Sequence, residues 1–227
     1  MIEFLLLDLD ETILDFHKAE YYGIRKTLAD FDIEPTEETC SRYSQINDAY
    51  WKRLERGEVT REQLLVGRFE ELFRELGVSR DAAACSAQYM DNMSSTHYFL
   101  PGAEEAVKAL SPKYRMFLVS NGTERAQRRR LESADLNRWF EKVFISQTVG
   151  VNKPDKRFFD RCFAQIEGFD PERAIIVGDS LSSDIQGGIN AGIRTCWVNP
   201  GHKTAKDVLP DYEIASIAEL EALLETL

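Results

Sequence analysis

Residues 2–12 read Ile2-Glu3-Phe4-Leu5-Leu6-Leu7-Asp8-Leu9-Asp10-Glu11-Thr12, and the fold turns on how this stretch is read. The apolar run from Phe4 to Leu7 is too short for a membrane span, which takes about 20 residues, and suits a buried parallel strand. It delivers two aspartates, Asp8 and Asp10, at the strand's carboxyl end, where open α/β sheets keep their ligands. Residues alternate faces along a strand, so extended backbone through Asp10 would put both carboxylates on one side, close enough to share one cation or one phosphoryl group. Two carboxylates that close repel, and the pair asks for a metal or a proton.

After Thr12 the pattern turns helical and stays so to about Phe99, which reads as an inserted all-α domain over 15–98 between two parts of a core, 1–14 and 99–227. Amphipathic periodicity predicts helices over 15–29 and 39–54, the second with Thr36 as N-cap. Thr60 with Gln63 forms a capping-box pattern, followed by an apolar stripe from Leu64 to Leu76 that stops at Gly77. Ser79 is expected to cap a fourth helix running to about Met93. From Pro101 onward helices and short apolar strands alternate, the signature of a parallel sheet with helices on its faces. Strands are expected at 116–119, 142–145, 174–177 and 195–198, with a short edge strand at 212–214.

In a parallel sheet the loops that follow the strands share one edge, and here those loops carry chemistry. Ser120-Asn121-Gly122-Thr123 leads straight into a helix, a natural anion cradle of hydroxyl, backbone N–H and permissive glycine. Lys153-Pro154 follows the next strand and offers a point charge for a phosphoryl group. Gly178-Asp179-Ser180 and Asp184 bring the acids back. Clustered oxygen ligands of this kind suit Mg²⁺.

The formal net charge is −11, with 39 acidic and 28 basic residues, so the overall field repels a nucleic-acid backbone or an anionic membrane. The expected partner is a small phosphorylated substrate, met by local positive charge, with no nucleic acid and no membrane. Cys40, Cys85, Cys162 and Cys196 form no C-x-x-C pair and no secretory signal precedes them, which reads as free thiols in a cytoplasmic protein. His17, His97 and His202 are scattered and suggest no zinc site.

Asp8-Leu9-Asp10, Ser120-Asn121-Gly122, Lys153-Pro154 and Gly178-Asp179 with Asp184 together resemble the four ordered motifs of the haloacid dehalogenase superfamily. The insertion after the first strand resembles that superfamily's helical cap. Asp15-Phe16, Ala19-Glu20, Gly150-Val151 and the run from Gly178 to Pro200 are similar to the bacterial pyrimidine 5′-nucleotidases. The resemblance implies a Rossmann-like α/β core with an inserted helical cap that closes over it. It implies a phosphatase in which Asp8 is the nucleophile that becomes an aspartyl phosphate and Asp10 the general acid and base. By the same resemblance Mg²⁺ sits on Asp8, Asp179 and the Asp10 carbonyl. Ser120, the Asn121 N–H and Lys153 hold the transferring oxygens, and Asp184 supports them. Dehalogenating relatives lack the second aspartate, so phosphatase is favoured. A sugar-phosphate phosphatase or phosphoglucomutase-like enzyme, and a phosphoacceptor signalling domain, remain open as alternatives. Phe16, Tyr21, Tyr22, Tyr50 and Trp51 are candidates for stacking on a base. Glu11 departs from the glycine found after the second aspartate in many relatives, and adds a third acid to the pair.

Overall fold

A computed structural model describes all 227 residues. Two compact units emerge, one formed by Met1–Phe16 with Tyr98–Leu227 and the other by His17–His97. The first unit is built on six strands: β1 Phe4–Leu7, β2 Arg115–Ser120, β3 Lys142–Ile145, β4 Ala174–Gly178, β5 Arg194–Val198 and β6 Tyr212–Ile214. They pair in the order β3-β2-β1-β4-β5-β6, every pair parallel. The chain winds outward from β1 to β3, returns to lay β4 against the other side of β1, and winds outward again. The reversal between β1 and β4 is the topological switch point, and Leu7 pairs there with both Leu118 and Val177.

A strand covered on both faces must be apolar at every position, which is why β1 reads Phe-Leu-Leu-Leu without alternation. Leu5 and Leu7, with Leu118 and Val177, pack into one cluster with Val107 and Leu110 of helix α5 (Ala103–Leu110, numbered after the four helices of the other unit) and with Leu220 near the C-terminus. Phe4 and Leu6, with Phe117 and Ile176, pack on the opposite face against Phe158, Phe159 and Cys162. The remaining helices of this unit are α6 Glu124–Ser133, α7 Ser146–Val149, α8 Lys156–Phe163, α9 Gln186–Ala191 and α10 Leu220–Leu224.

The other unit consists of α1 Phe16–Asp30, whose first residue still belongs to the first unit, α2 Glu37–Glu55, α3 Arg61–Leu76 and α4 Ala82–Ser94. Thr36 caps α2, Thr60 and Gln63 form the reciprocal box at the start of α3, and Gly77 ends α3 in a left-handed conformation. The fourth helix corrects the sequence expectation: Asp81, not Ser79, is its N-cap and accepts from the Ala84 N–H. A carboxylate two residues nearer the apolar run wins because its oxygen reaches the orphan N–H groups of the first turn. Inside this unit the fully buried Arg68 lies beside the rings of Tyr43, Phe69 and Tyr89 and donates to Asn47 at 2.7 Å. Asn47 in turn donates to the buried Glu20 carboxylate at 2.7 Å, so two like-hidden charges of opposite sign are joined through one amide. Among the aromatics expected to be available for stacking, Tyr21 and Tyr22 are exposed, and Phe16, Tyr50 and Trp51 are half-buried. No helix is long and apolar enough to cross a membrane, and all four cysteines are free and buried.

Helix α9 lies directly on the sheet because its inward positions are glycines. A Cβ on Gly188 would sit 2.5 Å from Ile176 Cγ2 and 2.6 Å from Thr195 Cγ2, and one on Gly187 would sit 2.7 Å from the Phe159 ring. Gly188→Ala should therefore lower unfolding stability by about 1–3 kcal/mol through overpacking, read as a fall in the urea midpoint at unchanged slope.

Candidate active site

The carboxyl edge of the sheet collects its polar side chains around one ammonium group. Lys153 is buried, and its Nζ donates to Asp8 Oδ1 at 2.7 Å, to Asp184 Oδ1 at 2.6 Å and to the Val119 carbonyl at 2.8 Å. An ammonium has three protons, and all three are thus taken. The loop that carries Lys153 is itself held from β2's end. Asn121 accepts from the Lys153 N–H at 2.8 Å and donates to the Lys153 carbonyl at 2.9 Å, and it reaches Ser183 at 3.2 Å. The sequence reading assigned Asn121 only a backbone N–H; its side chain is a two-bond clamp on the lysine loop.

Asp184 owes its position to a glycine and a wide turn. Residues Leu181–Ile185 form a single π-helical turn capped by Ser180, whose hydroxyl accepts from the Ser183 N–H. The second Asp184 oxygen accepts from the Ser180 N–H at 3.1 Å. A Cβ on Gly178 would sit 2.3 Å from that carboxylate, so the position must be glycine for Asp184 to fold back over the strand end. Asp8, Asp179 and Asp184 offer carboxylate oxygens that all lie within 4.8 Å of one another.

Three acids around one lysine leave the cluster short of positive charge, and the protonation equilibria reflect it. Burial pushes the Asp8 carboxyl up to about 7 against the pull of Lys153, with Asp184 and Asp10 adding to the rise. Burial raises Asp179 well above the usual carboxylate range, helped by Asp184, Asp8 and Glu11. Lys153 shows the reverse balance: burial alone would lower it, but the Asp184 and Asp8 carboxylates outweigh that and hold it above its ordinary value. A divalent cation bound by oxygen donors is what such a set accommodates.

Asp10 lies outside this carboxylate cluster. Extended geometry does not persist past β1: the last sheet bond is from the Asp8 N–H to Val177, after which Ile13 and Leu14 donate back to the Leu9 carbonyl in a tight turn. The expected same-side pair is therefore resolved into two environments. Asp8 faces Lys153, whereas Asp10 pairs with Arg130 and accepts from Gln127 Nε2 at 2.6 Å. Gln127 Nε2 also donates to Ser120 Oγ at 2.8 Å, tying Ser120 to Asp10. The sequence reading does not single out Gln127; it takes Arg125 and Arg128 to Arg130 as resembling a phosphate-binding cluster that follows the helix around, most of it facing solvent, and the structure buries Arg130 of that cluster. The signal for the pair is their i, i+3 spacing on the face of α6 that also carries the buried Ala126.

Glu11 has a structural part in the same turn. Its φ is 55°, the left-handed region that costs a residue with a Cβ on the order of 1 kcal/mol. Its Oε1 accepts from the Phe16 N–H at 2.7 Å, the first residue of α1, satisfying a donor that the helix cannot. Glu11→Ala keeps the backbone demand and loses the acceptor, so it should cost about 1–2 kcal/mol in urea unfolding, while Glu11→Gly, which relieves the backbone, should cost less. An alanine variant as stable as the glycine variant would remove this account of Glu11.

Known proteins share this architecture. Residues 5–198 match the haloacid dehalogenase-like hydrolase family. The pyrimidine 5′-nucleotidase PynA of Streptococcus pneumoniae is 34% identical over 220 residues, which cover 96% of this chain and 93% of PynA. The pyrimidine 5′-nucleotidase YjjG of Escherichia coli is 33% identical over 223 residues, covering 98% and 97% of the two chains. Among solved structures, the magnesium-bound HAD-hydrolase YfnB of Bacillus subtilis superimposes with a TM-score of 0.94 at 35% identity, over 98% of each chain.

Proposed function

We propose that this chain, which belongs to the haloacid dehalogenase-like hydrolases, is a phosphatase that hydrolyses nucleoside 5′-monophosphates, pyrimidine nucleotides foremost, through a phosphorylated Asp8. The observation that carries the substrate class is the similarity, over nearly the whole of each chain, to two pyrimidine 5′-nucleotidases. The reaction class is supported by an aspartate held against a buried ammonium at the carboxyl end of the central strand, with a second, differently partnered aspartate two residues on.

In the first half-reaction an Asp8 oxygen attacks phosphorus, forming a carboxyl O–P bond as the bond from phosphorus to the alcohol oxygen breaks. Asp10 passes its proton to that oxygen, so the alcohol leaves neutral. In the second half Asp10 takes a proton from water as the water oxygen bonds phosphorus and the Asp8 O–P bond breaks, which releases inorganic phosphate and restores both side chains. Lys153 acts as a fixed charge beside the nucleophile and reaches a transferring oxygen by exchanging one of its three bonds. Ser120 and the Asn121 N–H supply donors to the phosphoryl oxygens, and Asp184 holds Lys153 in place.

The carboxylates of Asp8 and Asp179 with the Asp10 carbonyl fit Mg²⁺, with Asp184 alongside. The carboxylate oxygens of Asp8, Asp179 and Asp184 converge within 4.8 Å, and one ammonium does not neutralise them. Bound Mg²⁺ supplies the positive charge that lets a phosphate dianion approach an anionic nucleophile.

Asp8→Asn should abolish turnover with the fold intact, Asp10→Asn should lower kcat by about 10²–10⁴-fold, and EDTA should stop the wild-type enzyme until Mg²⁺ is restored. Phosphate release from a panel of nucleotides and sugar phosphates checks the substrate class. Uridine and thymidine monophosphates should lead, and a preference for sugar phosphates would withdraw the nucleotidase assignment while leaving the phosphatase.

A further inference from the structure

Helix α6 buries two polar side chains that the proposed reaction does not use. Gln127 is 2% exposed and Arg130 is 0% exposed, on a helix whose sequence is otherwise dominated by solvent-facing charge. Burying a guanidinium or an amide is unfavourable unless its donors are matched, and apolar side chains would fill the same volume without that cost. Their partners are few. Arg130 Nη1 pairs with Asp10 Oδ1 and donates to Gln127 Oε1 at 3.2 Å, while its Nε and Nη2 have no hydrogen-bond partner and its guanidinium lies 5.9 Å from the centre of the Phe16 ring. Gln127 Nε2 donates to the other Asp10 oxygen at 2.6 Å and to Ser120 Oγ at 2.8 Å.

Two consequences follow from donor counting. Both Asp10 carboxylate oxygens are gripped from the same helix, which fixes the plane and direction of the group. Ser120 Oγ accepts from Gln127 and also from the Gly122 N–H at 3.1 Å, so both of its acceptor positions are used and its own proton is left to be donated elsewhere. Gly122 is required for this: a Cβ there would lie 2.4 Å from Gln127 Nε2 and 2.6 Å from its Cγ. The glycine of the Ser120-Asn121-Gly122 turn is thus the gap through which Gln127 reaches both groups.

The geometry points to Gln127 and Arg130 as positioning residues for the reaction: together they aim the Asp10 carboxyl that exchanges the proton, and Gln127 turns the Ser120 hydroxyl outward as a donor. This rests on the phosphatase reading above. The proton that Asp10 supplies matters when the departing group is a strongly basic alkoxide, as in a nucleotide, and matters little when it is a stable phenolate.

The test is steady-state kinetics with Mg²⁺ on uridine monophosphate and on p-nitrophenyl phosphate for the wild type, Arg130→Met, Arg130→Lys and Gln127→Leu. Arg130→Met should lower kcat on the nucleotide by about 10²-fold with KM changed less than about threefold, and should lower kcat on p-nitrophenyl phosphate by less than about tenfold. Arg130→Lys, which keeps a donor and a charge, should recover about tenfold of the nucleotide loss. Gln127→Leu should show the same contrast between esters, with a further loss of about tenfold in kcat/KM on both because Ser120 is no longer aimed. If Arg130→Met does not fold, the Gln127→Leu contrast and the Arg130→Lys rates carry the same test. Equal losses on the two esters, or no loss on the nucleotide, overturn the positioning role while leaving the phosphatase. A wild-type enzyme that hydrolyses neither ester overturns the phosphatase reading and this inference with it.

Discussion

A single buried ammonium organises the carboxyl edge of this sheet. Lys153 brings together groups from three separate strand ends: Asp8 after β1, the Val119 carbonyl of β2 and Asp184 in the turn after β4. Withdrawing two carboxylates and a lysine from water costs several kcal/mol per ion, which only good geometry and full hydrogen bonding offset. That condition accounts for much of the local architecture. Asn121 clamps the lysine loop with two bonds, Gly178 clears the space that Asp184 occupies, and the wide turn Leu181–Ile185 brings Asp184 back to the strand end. The remaining acid, Asp179, whose carboxylate lies within 4.8 Å of those of Asp8 and Asp184, is the reason we propose the cluster as a cation site rather than a closed ion pair.

The second aspartate is kept apart from this arrangement by the turn that follows β1. If β1 had continued in extended form, Asp8 and Asp10 would have competed for the same lysine. The turn instead sends Asp10 toward α6, where Arg130 and Gln127 receive it. Two carboxylates two residues apart thereby have different partners, the condition under which one can serve as nucleophile and the other as proton carrier. Glu11 stabilises that turn at its far side by accepting from the start of α1, which offsets the left-handed backbone it adopts.

Much of this was legible along the chain because it depends on local rules. An apolar run ending in acids, a capping box at Thr60 and Gln63, a helix stop at Gly77, and helix–strand alternation after Pro101 each follow from backbone hydrogen bonding and periodicity, and the structure places elements there. At the start of α4 the sequence reading takes Ser79 as the cap and the structure uses Asp81, since the outcome depends on which oxygen meets a free N–H in three dimensions.

The amino-acid order by itself determined the strands, their carboxyl ends and therefore the meeting of Asp8, Ser120, Lys153, Asp179 and Asp184 on one edge, because parallel pairing leaves no other place for those loops. It also determined the family, through motifs whose spacing spans the chain. Only the tertiary structure decided which way each side chain turns and what it meets: Asp10 to Arg130 and not to Lys153, Asn121 to the lysine loop, Gln127 through the gap at Gly122, Glu11 to the first turn of α1. The physical reason is that periodicity reports burial, whereas the pairing of a buried polar group is settled by whichever donor or acceptor lies within about 3 Å once distant segments have packed.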